Sequence, residues 1–259
     1  MTETIVQIYE IQTPDEAQAV IEMGVDHIGS VITSLQDRHN LVIRETIQRV
    51  REKGAISCLI PLYTEPSAVF DTLAYHRPHI VHFCDTLDPH GGQPVENAIE
   101  LQSQVKSSFS DIRIMRAIPI GRKAGTQRDA ILSLAKRLAP VTDFFLTDTL
   151  MADEANAADS DQPVNGFVGI TGLTCDWSVA AALVDQSNIP VILAGGISPE
   201  NVADGIEKVG PYGVDSCTCT NAVDEDGKPI RFKKDLARVE ALVSAVHRAN
   251  DGLQQQGSG

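Results

Sequence analysis

The sequence predicts an α/β protein, a closed (β/α)8 TIM barrel, and three observations lead there. Eight apolar runs rich in β-branched residues, at 5–11, 27–32, 56–62, 80–84, 111–118, 144–148, 190–195 and 213–217, alternate with segments of helical period. Strict strand–helix alternation implies parallel strands joined by right-handed crossovers, and eight such units in about 250 residues match a closed barrel. The competing architecture, a doubly wound open sheet, usually carries a glycine-rich turn after its first strand. The stretch "IQTPDEAQ" has none.

Taken in order, the helices are expected to begin near Pro14, Ile43, Pro66, Pro94, Gln127, Asp176, Pro199 and Lys234. Thr13-Pro14-Asp15-Glu16 and Ser198-Pro199-Glu200-Asn201 each place a capping hydroxyl before a proline at the first helical position, with acid in the first turn. Gly24 and Gly54 fit helix C-terminal stops. Two connections are long: 87–93, "LDPHGGQ", and 149–166, which is acidic and alanine-rich. Both follow strands, on the face where barrel loops build active sites. The second reads as a mobile lid or as disordered decoration.

With 42% hydrophobic and 22% charged residues, the 259-residue chain suits one large core. Residues 1–250 are read as a single barrel and 251–259, "DGLQQQGSG", as a disordered polar tail. A formal net charge of −14 argues against a nucleic-acid surface, which needs clustered Lys and Arg. No apolar stretch approaches the ~20 residues that span a bilayer, and no secretory signal is read at the N-terminus. Five cysteines, an odd number in a chain this large, fit reduced thiols and a cytoplasmic location. Nothing in the sequence sets the oligomeric state.

Alternate residues of barrel strands point inward. Near the strand ends this phase gathers Tyr9, His82, Cys84, Arg116 and Asp148. Asp148 ends the apolar run "FFLTD", where an acid is costly unless it is paired or used. It reads either as a catalytic group or as a cap or ion-pair member. In "ILAGGISPENV", Gly195 and Gly196 let backbone N–H groups approach an anion at a helix start, which suits phosphate beside strands seven and eight; a plain tight turn is the alternative. In "GITGLTCDW", Gly172 permits close backbone approach, Asp176 is a helix cap or ligand contact, and Trp177 packs. His82 and Cys84, two apart on one strand, could share a metal, though no second close-spaced pair completes a set.

At "GITGLTCDW", "PVILAGGISPENV" and "PYGVD" the sequence resembles the phosphoribosylanthranilate isomerase family, and "QTPDEAQAVIEMGVDHIGSV" is similar to its first helix and second strand. The resemblance implies a phosphate-binding (β/α)8 barrel that performs an Amadori rearrangement of a phosphorylated sugar in tryptophan biosynthesis, without a cofactor. It implies Asp148 as general acid, Arg38 as a substrate-contacting arginine, and Gly195 and Gly196 as half of the phosphate site. The family's base motif, Lys-x-Cys-Gly, reads Gln7-Ile8-Tyr9-Glu10 here. Its Gln-Leu-His-Gly reads His82-Phe83-Cys84-Asp85, the second glycine of its Gly-Gly-Thr-Gly is Ile170, and its Ser-Ser-Gly-x-Glu reads Cys217-Thr218-Cys219-Thr220-Asn221.

The expectation is an isomerase-type enzyme with an altered base. Asp148, Tyr9 and Cys84 are the catalytic candidates; Arg38, His82, Arg116, Gly172 and Asp176 are placed against the substrate. Neither a cofactor nor a metal is assigned. Two alternatives stay open: a barrel turned to another sugar-phosphate reaction, including a metal-dependent one, and a barrel that only binds a phosphorylated metabolite.

Overall fold

The computed structural model describes residues 3–151 and 166–256. Eight parallel strands close into a barrel in sequence order: β1 (Ile5–Ile8), β2 (His27–Ile32), β3 (Ile56–Pro61), β4 (Ile80–Phe83), β5 (Arg113–Gly121), β6 (Phe144–Leu150), β7 (Val191–Leu193) and β8 (Gly213–Ser216). Helices α1 (Pro14–Glu22), α2 (Leu41–Glu52), α3 (Pro66–His76), α4 (Gln93–Ser108), α5 (Arg128–Leu138), α6 (Trp177–Gln186), α7 (Val202–Val209) and α8 (Leu236–Gln256) connect them or close the chain. The predicted fold is the observed one. Most of the 149–166 connection, expected as a lid or as decoration, is residues 152–165, which lie outside the described residues. No helix among the described residues is long and apolar enough to cross a membrane.

The strand phase decides what each side chain meets. Cys58, Ile80, Met115, Ala117, Leu146 and Ile192 point into the barrel and fill it. Their neighbours in the chain, such as Val81, Phe83 and Ile114, point out beneath the helices. Ring closure is made by β1 on β8, where Ile5, Val6, Gln7 and Ile8 lie opposite Gly213, Val214, Asp215 and Ser216. Thr13 caps α1 as read, its hydroxyl accepting from Glu16 N, with Pro14 at the first position.

Two local expectations are corrected, and one element is added. The seventh helix does not start at Pro199: Ser198 N donates to Asn201 Oδ1 (2.9 Å) and Asn201 Nδ2 donates to Gly196 O (2.8 Å), so residues 198–201 fold as a turn and α7 begins at Val202. Its side-chain amide closes the preceding glycine loop instead of extending the helix. The segment read as a tail continues α8 as far as Gln256, because Ala249 and Leu253 still pack on the core. The chain after β8 does not run directly into its helix. It forms an antiparallel hairpin, β9 (Asn221–Val223) and β10 (Pro229–Lys234).

That hairpin is pinned to the barrel by Glu10, a residue 1% exposed at the end of β1. Arg231 donates to Glu10 Oε1 through Nε (2.7 Å) and Nη2, and Asn221 Nδ2 and Phe232 N donate to Oε2 (both 3.3 Å). Removing one partner of a buried pair strands the other charge and costs about 3 kcal/mol or more, whereas removing both is far cheaper. We expect Arg231→Ala to lower unfolding free energy by about 3 kcal/mol. Glu10→Gln in the same background should restore part of that loss, as read by urea denaturation. Equal stability of Arg231→Ala and the parent would show that the hairpin is not anchored this way.

Candidate active site

The strands bring their C-terminal residues to one mouth. It is lined by Tyr9 and Glu10 from β1, His82 and Cys84 from β4, Asp148 from β6, Asp215 from β8, and apolar side chains including Val31, Ile60 and Leu146. A short strip closes over it: Val168 N donates to Cys84 O (2.8 Å), Thr86 N donates to Gly166 O (2.7 Å), and Asp85 bridges Phe167. Beside the mouth lies a glycine-lined cradle formed by Thr171, Gly172, Gly195, Gly196, Thr218 and Cys219. Asp148 and Asp215 line both spaces and therefore stand where they meet.

Burial pushes the Asp148 carboxyl up to about 7, against a hydrogen bond from Thr149 N (2.8 Å) that favours the ionised form. Asp215 is 7% exposed. Burial pushes it to about 7 as well; the hydrogen bond from Gln7 Nε2 (3.1 Å) opposes the rise and the nearby Asp148 charge adds to it. Two like charges beside one site resist ionising together, so a neutral solution favours one proton on the pair. Gly169 makes the close approach to Asp148 possible: its φ is +114°, and a Cβ there would sit 2.5 Å from Asp148 Oδ2.

Tyr9 and Cys84 reach the mouth as expected, and burial opposes the ionisation of both. Burial raises the Tyr9 phenol well above its usual value, and nearby thiol and carboxylate charges add to that. Burial also raises the Cys84 thiol, reinforced by Asp85 and Asp148. The Tyr9 hydroxyl instead hydrogen-bonds His82 Nδ1 (2.8 Å). Burial lowers His82 to about 3, so its ring is neutral, and Nε2 is buried with no partner among the described residues. Among those residues no three His, Cys, Asp or Glu side chains converge to hold a metal ion, so the His82–Cys84 pair gains no third ligand.

Other expectations change. Arg116 does not face the mouth. Inward neighbours Met115 and Ala117 set the phase of β5, which turns Arg116 outward beneath the helices, where Nη1 donates to Asp85 Oδ1 (2.6 Å). Asp176 caps α6, accepting from Ser178 N (3.1 Å) and Ala124 N (3.1 Å), and is absent from both spaces. Arg38 lies on the mouth side of β2 but pairs with Asp71 on α3 (2.8 Å), with both side chains nearly half exposed. Gly172, Gly195 and Gly196 form the cradle as read. At Gly196 (φ +59°) a Cβ would meet the backbone carbonyl carbon of Leu173 at 2.5 Å, so the loop tolerates no side chain there.

The residue missed as a candidate is Asp215. Its signal was available: an acid within the apolar run "YGVDSC", in the inward phase of its strand. Glu10 (φ +64°) and Ile170 (φ +65°) both hold a left-handed backbone. These are two positions where the resemblance expects glycine, so the glycine-type backbone persists under larger side chains.

Residues 108–245 match the family described as N-(5'phosphoribosyl)anthranilate (PRA) isomerase. The chain is 27% identical over 245 residues to an N-(5'-phosphoribosyl)anthranilate isomerase of Methanocella arvoryzae, covering 94% of this chain and 98% of that one. It is 28% identical to the enzyme of the same name from Methanothrix thermoacetophila, covering 92% and 99%. Among solved structures, phosphoribosyl anthranilate isomerase from Thermotoga maritima superposes with a TM-score of 0.64 at 20% identity, over 95% of this chain and 99% of the other. A phosphoribosyl anthranilate isomerase in complex with reduced 1-(o-carboxyphenylamino)-1-deoxyribulose 5-phosphate gives 0.62 at 19% identity, over 95% and 99%.

The raised carboxyls set a stability prediction. Below the unfolded value near 4 both states are protonated; above about 7 both are ionised, and the folded state alone bears the cost of a buried charge. The destabilisation from Asp215 therefore grows as pH rises from about 4 to about 7. We expect Asp215→Asn to be more stable than the parent at pH 8 by on the order of 2 kcal/mol. Near pH 4 the two should nearly coincide. Denaturant unfolding at the two pH values checks this; a constant difference would remove the raised carboxyl as its cause.

Proposed function

Because the chain belongs to the N-(5'-phosphoribosyl)anthranilate isomerase family, we propose that it catalyses the family's Amadori-type rearrangement of a phosphorylated aminosugar, with Asp148 as general acid and Asp215 as general base. The observation that carries this reading is the pair of mouth carboxyls, both moved to about 7, set beside the glycine cradle. A base works best when its pKa lies near the working pH, which Asp215 meets and Tyr9 and Cys84 do not.

The steps follow from that assignment. The substrate phosphate sits in the cradle of Gly172, Gly195 and Gly196, bound by backbone N–H groups. Protonated Asp148 gives its proton to the ring oxygen as the C1–O bond breaks, while the nitrogen lone pair forms a C1=N iminium. Ionised Asp215 then takes the C2 proton, and that electron pair forms the C1=C2 bond as the iminium is neutralised to an enolamine. Tautomerisation to the C2 ketone returns a proton to C1. His82 is neutral at the mouth, its Nδ1 bonded to the Tyr9 hydroxyl.

Arg38 is the residue for the substrate carboxylate. Its pair with Asp71 is exposed, and such a pair contributes no more than about 1 kcal/mol, so the guanidinium is free to swing inward. In the relative with the bound analogue, that ligand carries both a carboxyphenyl group and a 5-phosphate.

Steady-state turnover of phosphoribosylanthranilate tests the assignment. Asp148→Asn and Asp215→Asn should each slow kcat by roughly 10²-fold or more. Tyr9→Phe and Cys84→Ala should change it by less than about tenfold, and Gly196→Ala should act mainly on KM. Full activity in Asp215→Asn, or its loss in Cys84→Ala, would return the base to another residue.

A further inference from the structure

Three polar side chains form one row inside the barrel. Asp215 on β8, Gln7 on β1 and His27 on β2 stand opposite one another in the strand register, and all three are buried. Asp215 lines the mouth and the cradle; Gln7 and His27 line neither. The bonds run in sequence. Gln7 Nε2 lies 3.1 Å from Asp215 Oδ1, and Gln7 Oε1 lies 3.1 Å from His27 Nδ1. Donor and acceptor chemistry fixes the direction of the row. An ionised carboxylate only accepts, so the Gln7 N–H must face Asp215. The thioether of Met115, 3.9 Å from Nε2, is likewise an acceptor. Oε1 is then turned to His27 Nδ1 and to the Cys58 thiol (3.6 Å). An amide oxygen cannot donate, so the His27 proton sits on Nδ1. Burial keeps that ring neutral, lowering it to about 4, and the charges of Arg113 and His79 add to the fall.

We propose that His27 is a positioning residue for Asp215: its Nδ1–H holds the Gln7 amide with the N–H against the carboxylate. Without that donor, only the weakly donating Cys58 thiol opposes reversal of the amide, and reversal would set Oε1 against the carboxylate. His27 thereby acts on the reaction without touching the substrate. The other charged or titratable groups around Asp215 are Asp148 on β6, Lys234 on β10, Tyr9 on β1, Cys58 on β3 and Cys217 after β8. A replacement at His27 leaves all of them in place, so a change felt by Asp215 reports on the Gln7 amide. The consequence for turnover rests on the reading of Asp215 as base; the hydrogen-bonded row does not.

Carbon-13 NMR of the Asp215 carboxyl, followed against pH in the full-length chain, tests the role. His27→Phe keeps a ring edge-on to Phe144 and removes the donor. The Asp215 titration should move up by about half a unit or more, because a hydrogen bond that favours the ionised form is weakened. His27→Asn, whose side-chain N–H can donate from nearly the place of Nδ1, should restore it. With Gln7→Leu already present, His27→Phe should add no further shift. The acid limb of kcat/KM against pH should rise with the Asp215 titration. In the parent, nitrogen-15 shifts should show His27 protonated on Nδ1, a reading that needs no variant to fold. A proton on Nε2, an unmoved Asp215 titration in His27→Phe, or a further shift in the Gln7→Leu background would each overturn the role. A moved titration beside an unmoved acid limb would uphold the row and overturn Asp215 as the base.

Discussion

The seam between β1 and β8 is the contact on which the rest depends. Parallel strands joined through helices have no edge only when the last pairs with the first, and the register of that pairing fixes which residues face inward. Here Gln7 stands opposite Asp215 and donates to its carboxylate. A shift of one residue would turn Asp215 beneath the helices and bring Val214 to the mouth. The same seam sets Glu10 within reach of the hairpin that follows β8, so ring closure and the hairpin anchor act on one short stretch of β1.

The substituted motif of β1 becomes intelligible from that seam. Where the resemblance has lysine, Gln7 gives Asp215 a hydrogen bond but no positive charge, and Asp215 stays raised to about 7. Gln7 Oε1 in turn accepts from His27 Nδ1 (3.1 Å), so the amide is held from both sides. Tyr9, in the place of the cysteine, is bonded to His82, and Glu10, in the place of the glycine, anchors the hairpin at a left-handed backbone that costs about 1–2 kcal/mol for a residue with a Cβ. Each replacement has a structural partner.

Burial does the electrostatic work at this mouth. Asp148 and Asp215 are raised while His82 is lowered, all chiefly by desolvation, so the carboxyls are poised near neutrality and the imidazole stays uncharged. Asp85 serves a different purpose. It satisfies the outward-facing Arg116 while its backbone helps close the strip over the mouth, joining the helix layer to the barrel interior.

The sequence by itself determined the barrel, because apolar alternation and helix-start chemistry are local and survive in single letters: His27–Ile32 was read to the residue, and Thr13-Pro14 caps its helix as expected. It also pointed to Asp148 and the paired glycines, which lie at the mouth and in the cradle beside it, since an acid ending an apolar run and paired glycines before a turn are rare enough to notice. The tertiary structure alone decided the remainder. Arg116 was assigned inward by counting, and only the neighbours Met115 and Ala117 show that the phase is opposite. The hairpin could not be read because its anchor, Glu10, lies 221 residues from Arg231. Asp215 became a candidate base only when ring closure set it beside Gln7 and near Asp148. Desolvation and like-charge repulsion depend on three-dimensional neighbours, and no periodicity in the chain encodes them.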